Sequence, residues 1–120
     1  MALTPEEWVR QHLLHFLVND RKFPQSLLGV EKKLLVNRMS RRTDVVAFST
    51  TLHPILIAEC KAPQVPLTQQ VFDQAARYNS TLGVFHFIIT NGLEIRCCEI
   101  DHHSKIYRFL PDVPFYGEIK

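Results

Sequence analysis

The sequence predicts a single α/β domain, and three observations carry that prediction. A capped helix opens the chain, short β-branched apolar runs bounded by turn residues follow it, and a second capped helix divides those runs into two groups. Helices interleaved with strands in this way pack as layers on a mixed sheet. The order reads α-β-β-β-α-β-β, with a short further edge strand. With 120 residues, 46% of them hydrophobic and 22% charged, the chain can bury a core of its own.

Thr4-Pro5-Glu6-Glu7 signals the first helix, with Thr4 as N-cap, Pro5 at the first helical position and Glu7 completing a capping box. It should run to about Asp20-Arg21, burying Val9, Leu13, Phe16 and Leu17. At about 100° per residue, Glu6 projects into that stripe and needs a partner, either Arg10 at i+4 or a site beyond the helix. Trp8 reads as a core or rim residue. His12 and His15 read as surface or partly packed, since no third ligand is spaced to join them.

After Phe23-Pro24, residues Val30 to Val36 read as the first strand and Asn37 to Arg41 as a turn. Val45 to Ser49 and Ile55 to Glu59 are the next two strands, joined through a turn that contains His53-Pro54. Thr68 caps a second helix to about Ser80, with Val71, Ala75, Tyr78 and Leu82 as its core stripe and Gly83 as its stop. Val84 to Thr90 is a strand in which His86 reads as a satisfied core residue. Asn91-Gly92 signals a two-residue hairpin into Leu93 to Ile100. Ile106 to Leu110 is the edge strand, and residues 111–120 form an irregular tail packed through Phe115 and Tyr116.

Arg42 to Pro63 concentrates the chemistry. Asp44 opens one apolar run and Glu59-Cys60-Lys61 closes the next, so a hairpin between them returns Glu59 and Lys61 to the end of the sheet that holds Asp44. Residues 59 and 61 share a face because strand side chains alternate. Two carboxylates with an ammonium beside them suit Mg²⁺-assisted phosphate-ester hydrolysis; from pattern alone the simpler reading is a buried ion pair of Lys61 with Glu59 and an end-capping Asp44.

Composition narrows the alternatives. No apolar run reaches the roughly 18 residues of a membrane helix and no secretory leader opens the chain, so a cytoplasmic protein is expected. Three cysteines without a C-x-x-C pair speak against a disulfide framework or zinc ribbon. A net charge of +2 does not mark a nucleic-acid binder, but Lys32, Lys33, Arg38, Arg41 and Arg42 lead into Asp44 without an intervening acid. They read either as a solvated hairpin or as a phosphate-contacting loop.

Asp44, Glu59-Cys60-Lys61, a helix-borne Glu6 before them and Gln74-Ala75-Ala76-Arg77-Tyr78 after them resemble the PD-(D/E)XK nuclease superfamily. TPEEWVRQ, RTDVVAF, IAECKAP, QAARYN and TNG are similar to the N-terminal nuclease domain of the restriction subunit of type I restriction enzymes, from about Thr4 to Gly92. The resemblance implies a restriction-endonuclease-like αβββαβ core, its mixed central sheet flanked by helices and extended by a C-terminal hairpin strand. It implies a Mg²⁺ or Mn²⁺ ion held by Asp44, Glu59 and the Cys60 backbone carbonyl, with support from Glu6. Lys61 would stabilise the attacking hydroxide, while Gln74 and Tyr78 would position the metal site or the DNA. Arg41, Arg42, Arg77, Lys32 and Lys33 are the expected phosphate contacts.

Thr43 stands where the superfamily's name has proline. No helicase is expected within 120 residues, so translocation would need a partner. The expected activity is metal-dependent hydrolysis of DNA phosphodiester bonds by a stand-alone endonuclease domain, as a homodimer or in a larger DNA-processing assembly. Two other readings stay open: a non-catalytic DNA- or protein-binding module on the same fold, and a static ion-pair network.

Overall fold

The computed structural model describes residues 3–36 and 39–120, with side chains at all of these except 32–42. Its elements in order are α1 (Pro5–Asn19), β1 (Leu28–Val36), β2 (Met39–Phe48), β3 (Pro54–Cys60), α2 (Gln69–Leu82), β4 (His86–Thr90), β5 (Ile95–Asp101), β6 (Ile106–Phe109) and the short α3 (Tyr116–Ile119). The strands form one sheet in the order β1-β2-β3-β4-β5-β6. Every neighbouring pair is antiparallel except β3–β4, which is parallel because α2 is the crossover between them.

Strand alternation splits the core between the two faces. Val45, Ala47, Leu56, Ala58, Cys60, Ile88 and Cys97 meet Val9, Leu13 and Leu17 of α1. Their sequence neighbours turn the other way: Phe87, Ile89, Cys98 and Ile100 pack on Phe72 and Ala75 of α2, and Val46 and Ile57 pack with Val84. The adjacent Cys97 and Cys98 thus belong to opposite faces, and all three cysteines are free thiols. The two α2-side runs Phe87-x-Ile89 and Cys98-x-Ile100 fix where α2 can sit.

Capping is as the sequence signals, with one exception. Thr4 Oγ1 accepts from Glu7 N at 3.1 Å, and the Thr68 hydroxyl accepts from Val71 N at 3.4 Å. The Glu7 side chain, however, does not return to complete a box; it pairs with Arg10 and accepts from Gln11 Nε2. Gly83 ends α2 at φ +73°, a left-handed position suited to glycine.

Several boundaries differ from expectation, each for a physical reason. β2 starts at Met39, because Met39 to Thr43 continue to pair with β1 although they carry no apolar pattern. The α2 stripe is rotated by one residue: Phe72, Ala75 and Asn79 are buried, while Val71, Tyr78 and Leu82 flank them half-buried. Asn79 is tolerated there because its amide donates to Ala75 O at 2.8 Å.

The β4–β5 link spans Asn91 to Glu94 instead of two residues. Asn91 Oδ1 accepts from Leu93 N and Glu94 N, which widens the turn, and Gly92 sits at φ +87° under Trp8. The tail is not irregular throughout, since it ends in α3. Tyr116 is buried edge-on to Phe23, and its hydroxyl donates to Phe48 O at 3.1 Å. Phe115 stays 46% exposed beneath the Arg21 guanidinium, so Tyr116 and Val113 carry the packing there. Among the described residues, no helix is long and apolar enough to cross a membrane.

Candidate active site

At the end of the β2–β3 hairpin the two strands part, and an acid side chain fills the gap. The last paired residues are Val45 and Ala58, so one further step puts Asp44 across from Glu59. In place of a strand-to-strand hydrogen bond, Asp44 Oδ2 accepts from Cys60 N at 2.7 Å. That bond fixes the carboxylate and leaves its second oxygen to the cleft. On the other side of β3, Lys61 N donates to Thr90 O at 2.8 Å, which holds the Glu-Cys-Lys triplet extended past the end of the strand.

The cleft is a pocket of about 490 Å³ on the α2 side of the sheet. Asp44, Glu59 and Lys61 line it from the strands, and Gln74 and Tyr78 line it from α2. Strand alternation accounts for the first three: Glu59 follows the parity of Ile57, and Asp44 that of Val46, both of which face α2. Helix spacing accounts for the last two, which lie one turn apart on α2. Lys61 Nζ is 3.4 Å from Glu59 Oε2, with both side chains partly open to solvent. The expected Lys61–Glu59 ion pair is therefore present, but in a solvent-accessible cleft and not in the core.

The donor set suits a hard cation. The two carboxylates that line the pocket offer only oxygen, and Mg²⁺ takes one or two carboxylates and keeps several waters, for which the pocket has room; Cys60, between Glu59 and Lys61 in the chain, is not among the lining residues. The Cys60 side chain packs in the α1-side core with its thiol pushed up to about 12, by burial first and then by the charge of Asp44, so only its backbone could serve from the cleft side. Among the described residues no three acidic, histidine or cysteine side chains converge closely enough to hold a metal by themselves.

Other expected residues stand further off. Glu6 is exposed in the first turn of α1 and does not line the pocket; its charge reaches only as far as a contribution at Cys60. Its expected partner is otherwise engaged, because Arg10 pairs with Glu7 and, at 2.9 Å, with Glu31 Oε1. Arg77 is exposed on the opposite flank of α2, in a separate cleft with His102, Lys105 and Tyr107. Lys32, Lys33, Arg41 and Arg42 have side chains outside the described residues. His12 and His15 are exposed: His12 packs 4.1 Å from the Trp8 ring, and His15 meets Asn19. Burial lowers the pKa of His86, partly offset by Glu99, whose Oε2 lies 3.5 Å away.

Two residues around the site carried no functional signal in the sequence. Asn91 is buried behind the Glu-Cys-Lys triplet and, besides its turn bonds, donates from Nδ2 to Val65 O at 2.8 Å, tying the segment after Lys61 to the end of β4. Asn79 lines the pocket from α2, and its Oδ1 is buried without a hydrogen-bond partner among the described residues. An Asn-Gly pair marks a turn, but nothing in it predicts a clamp on a distant loop.

A solved fragment of a protein assigned as the HsdR subunit of a type I restriction enzyme from Vibrio vulnificus YJ016 has a similar fold, with a TM-score of 0.66 at 20% identity. The match covers 99% of this chain and 25% of that one, so the chain spans about a quarter of the solved fragment's length. No curated protein matches the sequence. The family model for the type I restriction enzyme R protein N terminus (HSDR_N) matches residues 5–114, nearly the whole length. By that match, the chain belongs to the family of type I restriction enzyme R protein N-terminal domains.

Proposed function

We propose that this domain hydrolyses DNA phosphodiester bonds with the help of a divalent cation, Mg²⁺ or Mn²⁺. The observation that carries the reading is the convergence of Asp44, Glu59, Lys61, Gln74 and Tyr78 on one cleft, with Asp44 pinned by Cys60 N. Membership of a restriction-subunit family supports DNA as the polymer and other subunits of a DNA-processing assembly, or a second copy of the chain, as partners. A cytoplasmic location fits such partners.

Asp44, Glu59 and the Cys60 carbonyl are the groups that would hold the cation. When bound, it supplies positive charge at the scissile phosphate and lowers the pKa of a nearby water. Glu59 would both bind the cation and orient Lys61, whose ammonium, 3.4 Å from Glu59 Oε2 in the lining of the cleft, would meet hydroxide or a developing phosphate charge. Gln74 and Tyr78 would fix the phosphate or its neighbours from the α2 wall, and Glu6 would act only through intervening water. Arg77 would take a phosphate farther along the strand, since its cleft lies beyond α2.

The test is incubation with linear, circular and single-stranded DNA. Cutting is expected with Mg²⁺ or Mn²⁺ and is expected to stop when EDTA removes the metal. Salt-dependent binding without cutting under any of these conditions would favour the non-catalytic binding module instead.

A further inference from the structure

Arg10 sits on α1 with a side chain only 14% exposed, yet it faces two acids from different elements. Its guanidinium pairs with Glu7 one turn back and with Glu31 of β1, and its Nε is buried without a hydrogen-bond partner among the described residues. So enclosed a cation is retained only where its charge is answered.

The position of Glu31 shows where that answer is anchored. Val30 pairs with Val45 and Lys32 with Thr43, so Glu31 lies across from Asp44 at a step that the β1–β2 ladder skips. There Glu31 adopts φ +51°, a left-handed conformation that non-glycine residues seldom take within a strand. The Glu7–Arg10–Glu31 bridge is thus fastened to the backbone level with Asp44, from the α1 side of the sheet. The charges agree with this placement. Burial lowers the Arg10 pKa, but the hydrogen bond to Glu31 and the charges of Glu7, Glu31 and Asp44 outweigh it and leave it raised.

We infer that Arg10, bridged to Glu7 and Glu31, is a positioning residue that sets the cation affinity of the Asp44–Glu59 site from behind. The inference rests on the reading of Asp44 and Glu59 as a cation site. Its two ends act in opposite directions. The guanidinium opposes an incoming divalent cation while easing the repulsion between neighbouring carboxylates, and Glu31 offsets the guanidinium. Removing Arg10 makes the site more negative; removing the charge of Glu31 leaves Arg10 less compensated. A bridge that only held α1 to β1 would behave differently, because cutting it at either end would loosen Asp44 and weaken binding both times.

The experiment is calorimetric Mn²⁺ titration of the whole chain at low ionic strength, where such effects are least screened. Arg10→Met is expected to bind about tenfold tighter than wild type, Glu31→Gln about threefold weaker, and Arg10→Lys close to wild type. The Glu31 side chain is 54% exposed and Glu7 still answers Arg10 without it, so Glu31→Gln is expected to fold and carries the test should Arg10→Met fail to fold. Weaker binding by both Arg10→Met and Glu31→Gln, or wild-type affinity in Glu31→Gln, overturns the inference while the cation site stands. A wild type that binds no Mn²⁺ overturns both.

Discussion

Replacing Lys61 by methionine is expected to slow DNA cleavage by about 10²- to 10³-fold, the usual loss when one charge-stabilising donor is removed from a reacting site. Methionine keeps most of the aliphatic stem, so the experiment isolates the ammonium. Stability should change by no more than about 1 kcal/mol, because the Lys61–Glu59 pair is solvent-accessible and 3.4 Å long. The combination is diagnostic. A static ion-pair network would show little change in either quantity, whereas a packing role would show loss of stability first. Single-turnover cleavage alongside thermal melting separates these outcomes, and full activity in Lys61→Met would end the catalytic assignment.

The largest stability effect is expected at Phe87. Its ring is 1% exposed in the α2-side core, packed among Phe72, Ala75 and Ile89 and edge-on to Tyr107 at 5.9 Å. Phe87→Ala should cost about 3–5 kcal/mol, the transfer of the ring plus the cavity it leaves. The consequence reaches the site, because Phe87 itself lines the cleft and supports the helix that bears Gln74 and Tyr78. Denaturant unfolding followed by circular dichroism would give the loss. Any residual activity should fall further than that of a variant equally destabilised at Leu17, on the α1 side.

What the sequence could and could not disclose follows from the range over which each signal acts. Thr4, Thr68 and Gly83 are read correctly because a cap is a contact within one turn of helix. Asp44, Glu59 and Lys61 are legible because strand alternation and a single hairpin suffice to bring them together. The α2 stripe is misread by one position because Tyr78 and Asn79 are only about 100° apart, and apolar character favours the tyrosine; the bond from Asn79 to Ala75 O reverses that preference. The start of β2 is missed because residues 39–43 pair through their backbones, a contact that leaves no apolar pattern.

The contacts behind the site are the least legible part. Arg10 finds Glu31 across 21 positions, and no local rule prefers that acid to Glu6 one turn away. Glu6 falls on the helical stripe by spacing, but the first turn of α1 is exposed, so the stripe does not bury it. The Asn91 side chain bonds Val65 across 26 positions, a link set by where α2 returns the chain and not by either residue's neighbours.

The central claim is that Asp44 and Glu59 form a divalent-cation site, and Mn²⁺ binding by wild type and Asp44→Asn tests it most directly. Asparagine can still accept from Cys60 N, so the variant should fold and melt close to wild type while losing the anionic oxygen. Calorimetry is expected to show saturable Mn²⁺ binding in the wild type and an affinity at least tenfold lower in Asp44→Asn. Equal affinity in the two proteins, or no binding by a folded wild type, would contradict the account.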